Sequence, residues 1–220
     1  MKSIHANIRV GLICALTVLF LNCKKEKVDP IPPSVWNYST FTDVRDGKAY
    51  KSIKIGNQEW MAENLAYSVS GSWAYWNDEK YGIQYGRLYT WDAAKLAVPA
   101  GWHLPTDAEW KILEMSLGMN QSDADLTGLR GINQGDKLKS MSGWPENENG
   151  TNEVGFTALP GGFRSNPGIF LNLSGGGFWW CDSENDNSQA WFRIIVTADS
   201  KVGRGLGFKG EGYSVRCVKN

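Results

Sequence analysis

Cys181 and Cys217 lie in apolar, β-prone stretches near the C-terminal end, Phe178-Trp179-Trp180-Cys181 and Tyr213 to Val218. Thiols on neighbouring strands of an exported protein usually oxidise together. A bridge closing a loop of about 37 residues would stabilise the fold by ~3–4 kcal/mol. A disulfide is therefore expected, with two free buried thiols as the alternative. His103, one of only two histidines, falls between Trp102 and Leu104 just ahead of a helix start. It reads as a hydrogen-bonded structural residue, and the sequence offers it no acid–base partner. Asp182, Glu184 and Asp186 alternate as calcium ligands do, because a hard cation takes roughly six to eight oxygens. An EF-hand reading nevertheless fails at its sixth and twelfth positions, Asn187 and Arg193. That stretch is expected to be a solvated loop, and no metal or cofactor is assigned.

Rings offer a second kind of chemistry. Eleven tryptophans and 25 glycines imply a turn-rich domain built around large side chains. Trp73, Tyr75, Trp76, Tyr81 and Tyr85 crowd one short loop. Flat rings cover the apolar faces of sugars and keep polar edges for their hydroxyls, so Trp73, Tyr75, Trp76 and Tyr81 are candidate ligand-binding residues. Packed inward, the same rings would fill the core instead, the commoner fate in a loop of this composition.

The chain that positions these residues has 220 residues, 42% hydrophobic and 21% charged, enough for one globular domain and a tail. Basic and acidic residues balance at 23 each, which excludes a strong electrostatic pull toward nucleic acid. Lys2 and Arg9 precede an apolar run from Val10 to Leu21, too short for the ~20 residues of a membrane span but right for a secretory leader. Leu21-Asn22-Cys23 then resembles a bacterial lipobox, with Cys23 the lipid-bearing residue and residues 1–22 a signal peptide. Cleavage would leave 21 basic and 23 acidic residues, a net of about −2. Residues 23–40, with Pro30, Pro32 and Pro33, form a tether that favours extended chain. The domain is expected over 41–220.

Asp46-Gly47 and Gly56-Asn57 are hairpin turn signals, so a β-meander is expected from Thr42 to Met61. Thr106 and Glu109 form a capping box ahead of Trp110, Leu113 and Leu117, one apolar stripe stopped by Gly118. A shorter helix is expected from Trp91 to Ala97, and a helical turn near Asp136 to Ser140. Strands are expected at Phe178–Cys181, Ala190–Val196 and Tyr213–Val218. No internal repeat is visible.

Six segments in order resemble the Fibrobacter succinogenes major paralogous domain, a module of exported bacterial proteins. They are Ile55-Gly56-Asn57-Gln58-Glu59-Trp60-Met61-Ala62-Glu63-Asn64-Leu65, then Gly86-Arg87-Leu88-Tyr89-Thr90-Trp91, then Gly101 to Trp110. Gly155-Phe156, Leu159-Pro160-Gly161-Gly162-Phe163-Arg164 and Gly212-Tyr213-Ser214-Val215-Arg216-Cys217 follow. The family looks distantly similar to C-type-lectin-like folds and to formylglycine-generating enzymes. The resemblance thus implies an α+β domain with two short helices beside a twisted antiparallel sheet and long loops. Trp76-Asn77-Asp78 spells a sugar-binding triplet of calcium-dependent lectins, but it comes early in the chain and lacks the Glu-Pro-Asn partner, so it reads as coincidence.

These observations favour a non-catalytic binding or adhesion module, lipid-anchored in the envelope, with the outer membrane as its expected site. Glycans or an envelope protein would be its partners, besides the membrane itself. A structural part of a surface assembly is the alternative. An oxidase related to the formylglycine-generating enzymes fits poorly, since the copper type uses two closely placed cysteines near the C-terminus. An iron-dependent sulfoxide synthase needs several histidines, and removal of the leader leaves one.

Overall fold

Gly56 takes a left-handed backbone with φ 60°, which glycine adopts without a Cβ clash, and the chain reverses there. The computed structural model describes residues 36–220, so the expected signal peptide, Cys23 and most of the expected tether lie outside the described residues. β1 (Ser39–Thr42), β2 (Ala49–Ile55) and β3 (Gln58–Met61) make the expected meander, with Phe41 opposite Tyr50 and Ile53 opposite Trp60. Packing starts a little earlier, because Trp36 and Tyr38 already lie against buried side chains.

A two-stranded ribbon, β4 (Ser72–Trp73) with β5 (Leu88–Tyr89), encloses α1 (Glu79–Tyr85). α2 (Trp91–Ala97) begins at Thr90, whose hydroxyl accepts from the Ala93 N–H, and spans the residues expected of it. After β6 (Trp102–His103) comes α3 (Asp107–Ser116), started by the Thr106–Glu109 capping box. α4 (Gln121–Asp125), β7 (Gly128–Arg130) and α5 (Gln134–Leu138) follow. The last third holds β8 (Gly161–Arg164), β9 (Phe170–Leu173), β10 (Gly176–Glu184), β11 (Gln189–Val196), β12 (Val202–Phe208) and β13 (Val218–Lys219).

The architecture is α+β, with five short α-helices among the described residues where two were expected. One sheet runs β1-β2-β3-β13-β6, and a second runs β7-β12-β11-β10-β8-β9. The second is mixed, since β10 and β8 are parallel. The C-terminal strand also differs from expectation. Only Val218 and Lys219 join a regular ladder, because residues 212–217 divide their hydrogen bonds among different neighbours. Gly212 and Arg164 exchange them, as do Tyr213 and Tyr89; Ser214 donates to Phe178, while the carbonyls of Val215 and Cys217 accept from Leu65 and Met61. This segment laces the two sheets together.

Strand side chains alternate across a sheet, and here both faces are buried. Tyr50, Met61, Phe178, Trp180, Ala190, Val215 and Cys217 enter one cluster, covered by Trp91, Ala94 and Ala97 of α2. Ile53, Ile55, Trp60, Trp179, Cys181, Ile195 and Val218 enter another, covered by Trp110 and Leu113 of α3. Each buried large side chain contributes ~1.5–3 kcal/mol, so two helix-capped cores replace one thick one.

Candidate functional site

The chain between β4 and α1 makes one tight turn, Tyr75–Asn77. Trp76 (φ 55°) and Asn77 (φ 57°) are both left-handed, a conformation asparagine adopts readily but one that costs a bulky residue such as Trp76 ~1–2 kcal/mol. Asp78 then starts α1 by accepting from the Lys80 N–H (3.0 Å), and its carboxylate pairs with Lys80 Nζ at 2.8 Å. The lectin-like triplet therefore serves as a turn and a helix cap.

The turn pushes one ring out and folds the others beneath it. Trp76 is 59% exposed, whereas Tyr75 is 3% exposed. The Tyr81 ring meets Trp76 edge-on, centroids 5.5 Å apart at 82°, and Tyr75 lies 5.2 Å from Trp76. Phe170 of β9 closes the group from below, 5.1 Å from Tyr75. Edge-to-face pairs of this kind each add ~0.5–1.5 kcal/mol and fix ring orientation. Gly162 permits the approach: a Cβ there would sit 2.7 Å from the Tyr75 ring and 2.5 Å from the Leu171 carbonyl. Trp73 lies half-buried beneath the Arg164 guanidinium, whose carbon is 3.9 Å from the ring centroid. Ile169 (60%) and Leu171 (41%), on either side of Phe170 in the chain, are exposed as well.

Of the loop aromatics, Trp76 is presented outward, Trp73 and Tyr81 are half-buried, and Tyr75 and Tyr85 are buried. The loop's own sequence did not reveal Phe170 and Arg164, which arrive from roughly ninety residues downstream through the β8–β9 hairpin.

The remaining candidates are dispersed. Nε2 of His103 bonds the Glu109 carboxylate at 2.7 Å and Nδ1 meets Asn220 Oδ1 at 2.7 Å, so both ring nitrogens are engaged. Asp182 and Glu184 pair with Lys95 (3.5 Å) and Lys209 (3.4 Å), while Asp186 shapes a turn by accepting from the Ser188 and Gln189 N–H groups. Among the described residues, no cluster of three or more His, Cys, Asp or Glu could hold a metal ion.

The expected Cys181–Cys217 disulfide is not formed. Both thiols are free and fully buried, and they point into different cores. Cys181 has the odd parity of β10 that faces α3, while Cys217 joins the cluster beneath α2. Burial pushes the Cys181 thiol up to about 12 despite the nearby Arg193 guanidinium, and burial raises Cys217 as well. Neither thiol is a ready nucleophile.

Two buried polar assemblies were missed by sequence reading. Asp107 and Glu114 occupy the same face of α3 as Trp110 and Leu117. Asp107 Oδ1 accepts from Arg193 and from Arg204, each at 2.8 Å, and Glu114 accepts from Arg193 Nε at 2.7 Å and from Arg130. Arg193 and Arg204 sit directly opposite each other on β11 and β12, a repulsive cross-strand pair that Asp107 bridges. Burial alone would raise the Asp107 carboxyl, but the hydrogen bonds and charges of Arg204 and Arg193 hold it well below the usual range. The available signal was two acids at the spacing of an apolar stripe.

In the second assembly, Arg216 is fully buried with no carboxylate bonded to it. Its guanidinium donates to Asn64 Oδ1 at 2.7 Å and to the carbonyls of Phe156 and Thr157. Asn64 Oδ1 also accepts from Trp179 Nε1 at 2.9 Å, and its amide nitrogen donates to Tyr85 O at 2.8 Å. A cleft of about 160 Å³ opens beside Arg216 between Glu63, Asn64, Tyr85 and Leu159.

No described helix is long and apolar enough to cross a membrane. The sequence profile described as the Fibrobacter succinogenes major domain matches residues 53–219. No curated protein and no solved structure matches the chain.

Proposed function

Because the chain belongs to the Fibrobacter succinogenes major domain family, we propose that it is a non-catalytic binding module, held at the cell envelope by lipid on Cys23, whose aromatic platform takes saccharides. The observation that carries this reading is Trp76. An indole held 59% exposed by two successive left-handed residues gains little burial in return, and strain of that kind is characteristic of ligand sites. Tyr81 and Tyr75 brace the ring, so a sugar face would meet a preorganised surface. Short helices packed on sheets and joined by long loops also suit a C-type-lectin-like arrangement. The two separated, buried thiols support the non-catalytic side of the proposal, because a copper–thiolate oxidase needs paired, ionisable cysteines.

A glycan array probed with the full chain tests the reading. Binding should appear, and Trp76→Ala should weaken it by on the order of thirtyfold, the loss expected of an aromatic hot spot. Unchanged binding by the variant would remove the platform. Palmitate incorporation that persists in Cys23→Ala would remove the anchor.

A second reading, a structural part of a surface assembly, draws on apolar side chains left exposed on β7 and β12, namely Leu129, Leu206 and Phe208. Oligomers that form with Trp76→Ala as readily as with the parent chain, on an array that stays silent, would favour it.

A further inference from the structure

We infer that the saccharide received by the platform is acidic, its carboxylate or sulfate ester being held by Arg164; this rests on the platform being the binding site. Arg164 ends β8, and its guanidinium carbon lies 3.9 Å from the Trp73 centroid and 5.8 Å from that of Phe170. Stacking on rings fixes the guanidinium plane and leaves its in-plane N–H groups available. Phe170 in turn touches Tyr75, which touches Trp76, so the cation and the exposed indole belong to one continuous run of rings.

What sets Arg164 apart is the lack of any acceptor. Among the described residues its Nε is buried without a hydrogen-bond partner, and no ion pair includes it. The other described arginines are all met. Arg45 has Asp43, Arg87 has Glu79, Arg130 and Arg193 have Glu114, and Arg204 has Asp107. Even Arg216, without a carboxylate, bonds Asn64 and two carbonyls. Lys80 lies over the Tyr81 ring but is already paired with Asp78. The turn after β8 passes close over the guanidinium, where a side chain at Gly168 would come 2.5 Å from Nη2.

A guanidinium without an acceptor is costly to desolvate, and an oxyanion at its terminal Nη groups supplies what the described residues do not. Guanidinium pairs with planar or tetrahedral oxyanions through parallel N–H···O bonds, the geometry in which it is most selective. An oligosaccharide seated on the Trp76 face and running along the row of rings would bring such a group to Arg164. A neutral sugar offers only uncharged hydroxyl and ring oxygens, without the charge-assisted bidentate pairing.

The test is calorimetric titration of the full chain in detergent with tetragalacturonate, a dextran sulfate oligomer and isomaltotetraose. One or both acidic oligosaccharides should bind at least tenfold tighter than the neutral one, and which of them does so identifies the oxyanion. Added salt should weaken that binding and leave the neutral ligand unaffected. Arg164→Gln, checked for an unchanged thermal midpoint, should erase the acidic preference while neutral binding persists. Arg164→Lys, which keeps charge without the planar fork, should retain part of it. Equal binding of neutral and acidic ligands, or an acidic preference that survives Arg164→Gln, overturns the inference and leaves the platform standing. Silence from all three ligands removes both.

Discussion

Asn64 is where three needs meet on one side chain. Its carbonyl oxygen accepts from the Arg216 guanidinium and the Trp179 indole, while its amide reaches Tyr85 O. Removing it strands two buried donors, each costing ~1–3 kcal/mol. Asn64→Ala should therefore lose about 2–5 kcal/mol in chemical denaturation, far more than its size suggests. Neither this partner set nor the contact between Arg164 and Trp73 was legible in the sequence, because each joins residues many positions apart. Arg216 alternates with Val215 and Cys217 as a residue on the open face of a strand would, so the sequence did not mark it as buried. The cysteines make the same point in the opposite sense. Late apolar strands and an even count argued for a bridge, yet strand parity sends the two thiols to different cores. Alkylation followed by mass spectrometry should find Cys181 and Cys217 unmodified in the native protein and both modified in denaturant. A disulfide would keep them unmodified in both.

Local chemistry wrote the elements more plainly. The capping box at Thr106 and Glu109 formed as spaced, and Thr106→Ala should cost about 1 kcal/mol, read as a shift in the denaturation midpoint. α1 and α4 went unseen because each is short and stands on an Asp78 or Asn120 cap with no apolar stripe behind it. The aromatic loop was picked out from its ring content, but which ring faces solvent is decided by the left-handed turn and by β9 beneath it. Gly162→Ala tests that arrangement. Its methyl would press on Tyr75 and on the Leu171 carbonyl while its φ of 68° resists a side chain. The substitution should destabilise the domain and shift the fluorescence of Trp76.

At the scale of the molecule, α3 is fastened to the sheet by charge as well as by rings. Two carboxylates hold three buried arginines there, and the network fails if a carboxylate takes a proton. The Asp107 carboxyl is depressed in the folded state, so its contribution is complete above the unfolded value near 4 and fades as pH falls below it. Stability should thus drop steeply under acid. Asp107→Asn should flatten that dependence while costing ~3–5 kcal/mol at neutral pH, since Arg193 and Arg204 would keep their repulsion without the bridge.

The lacing segment, 212–220, carries a consequence for how the two sheets close. These residues supply the strand between β3 and β6 and the bonds that join the two sheets. Until this segment docks, β3 and β6 lack their common neighbour and the seam between the sheets is open. Closure therefore waits on partners far apart in the chain, Met61 with Cys217 and Leu65 with Val215, a long-range pairing that slows folding.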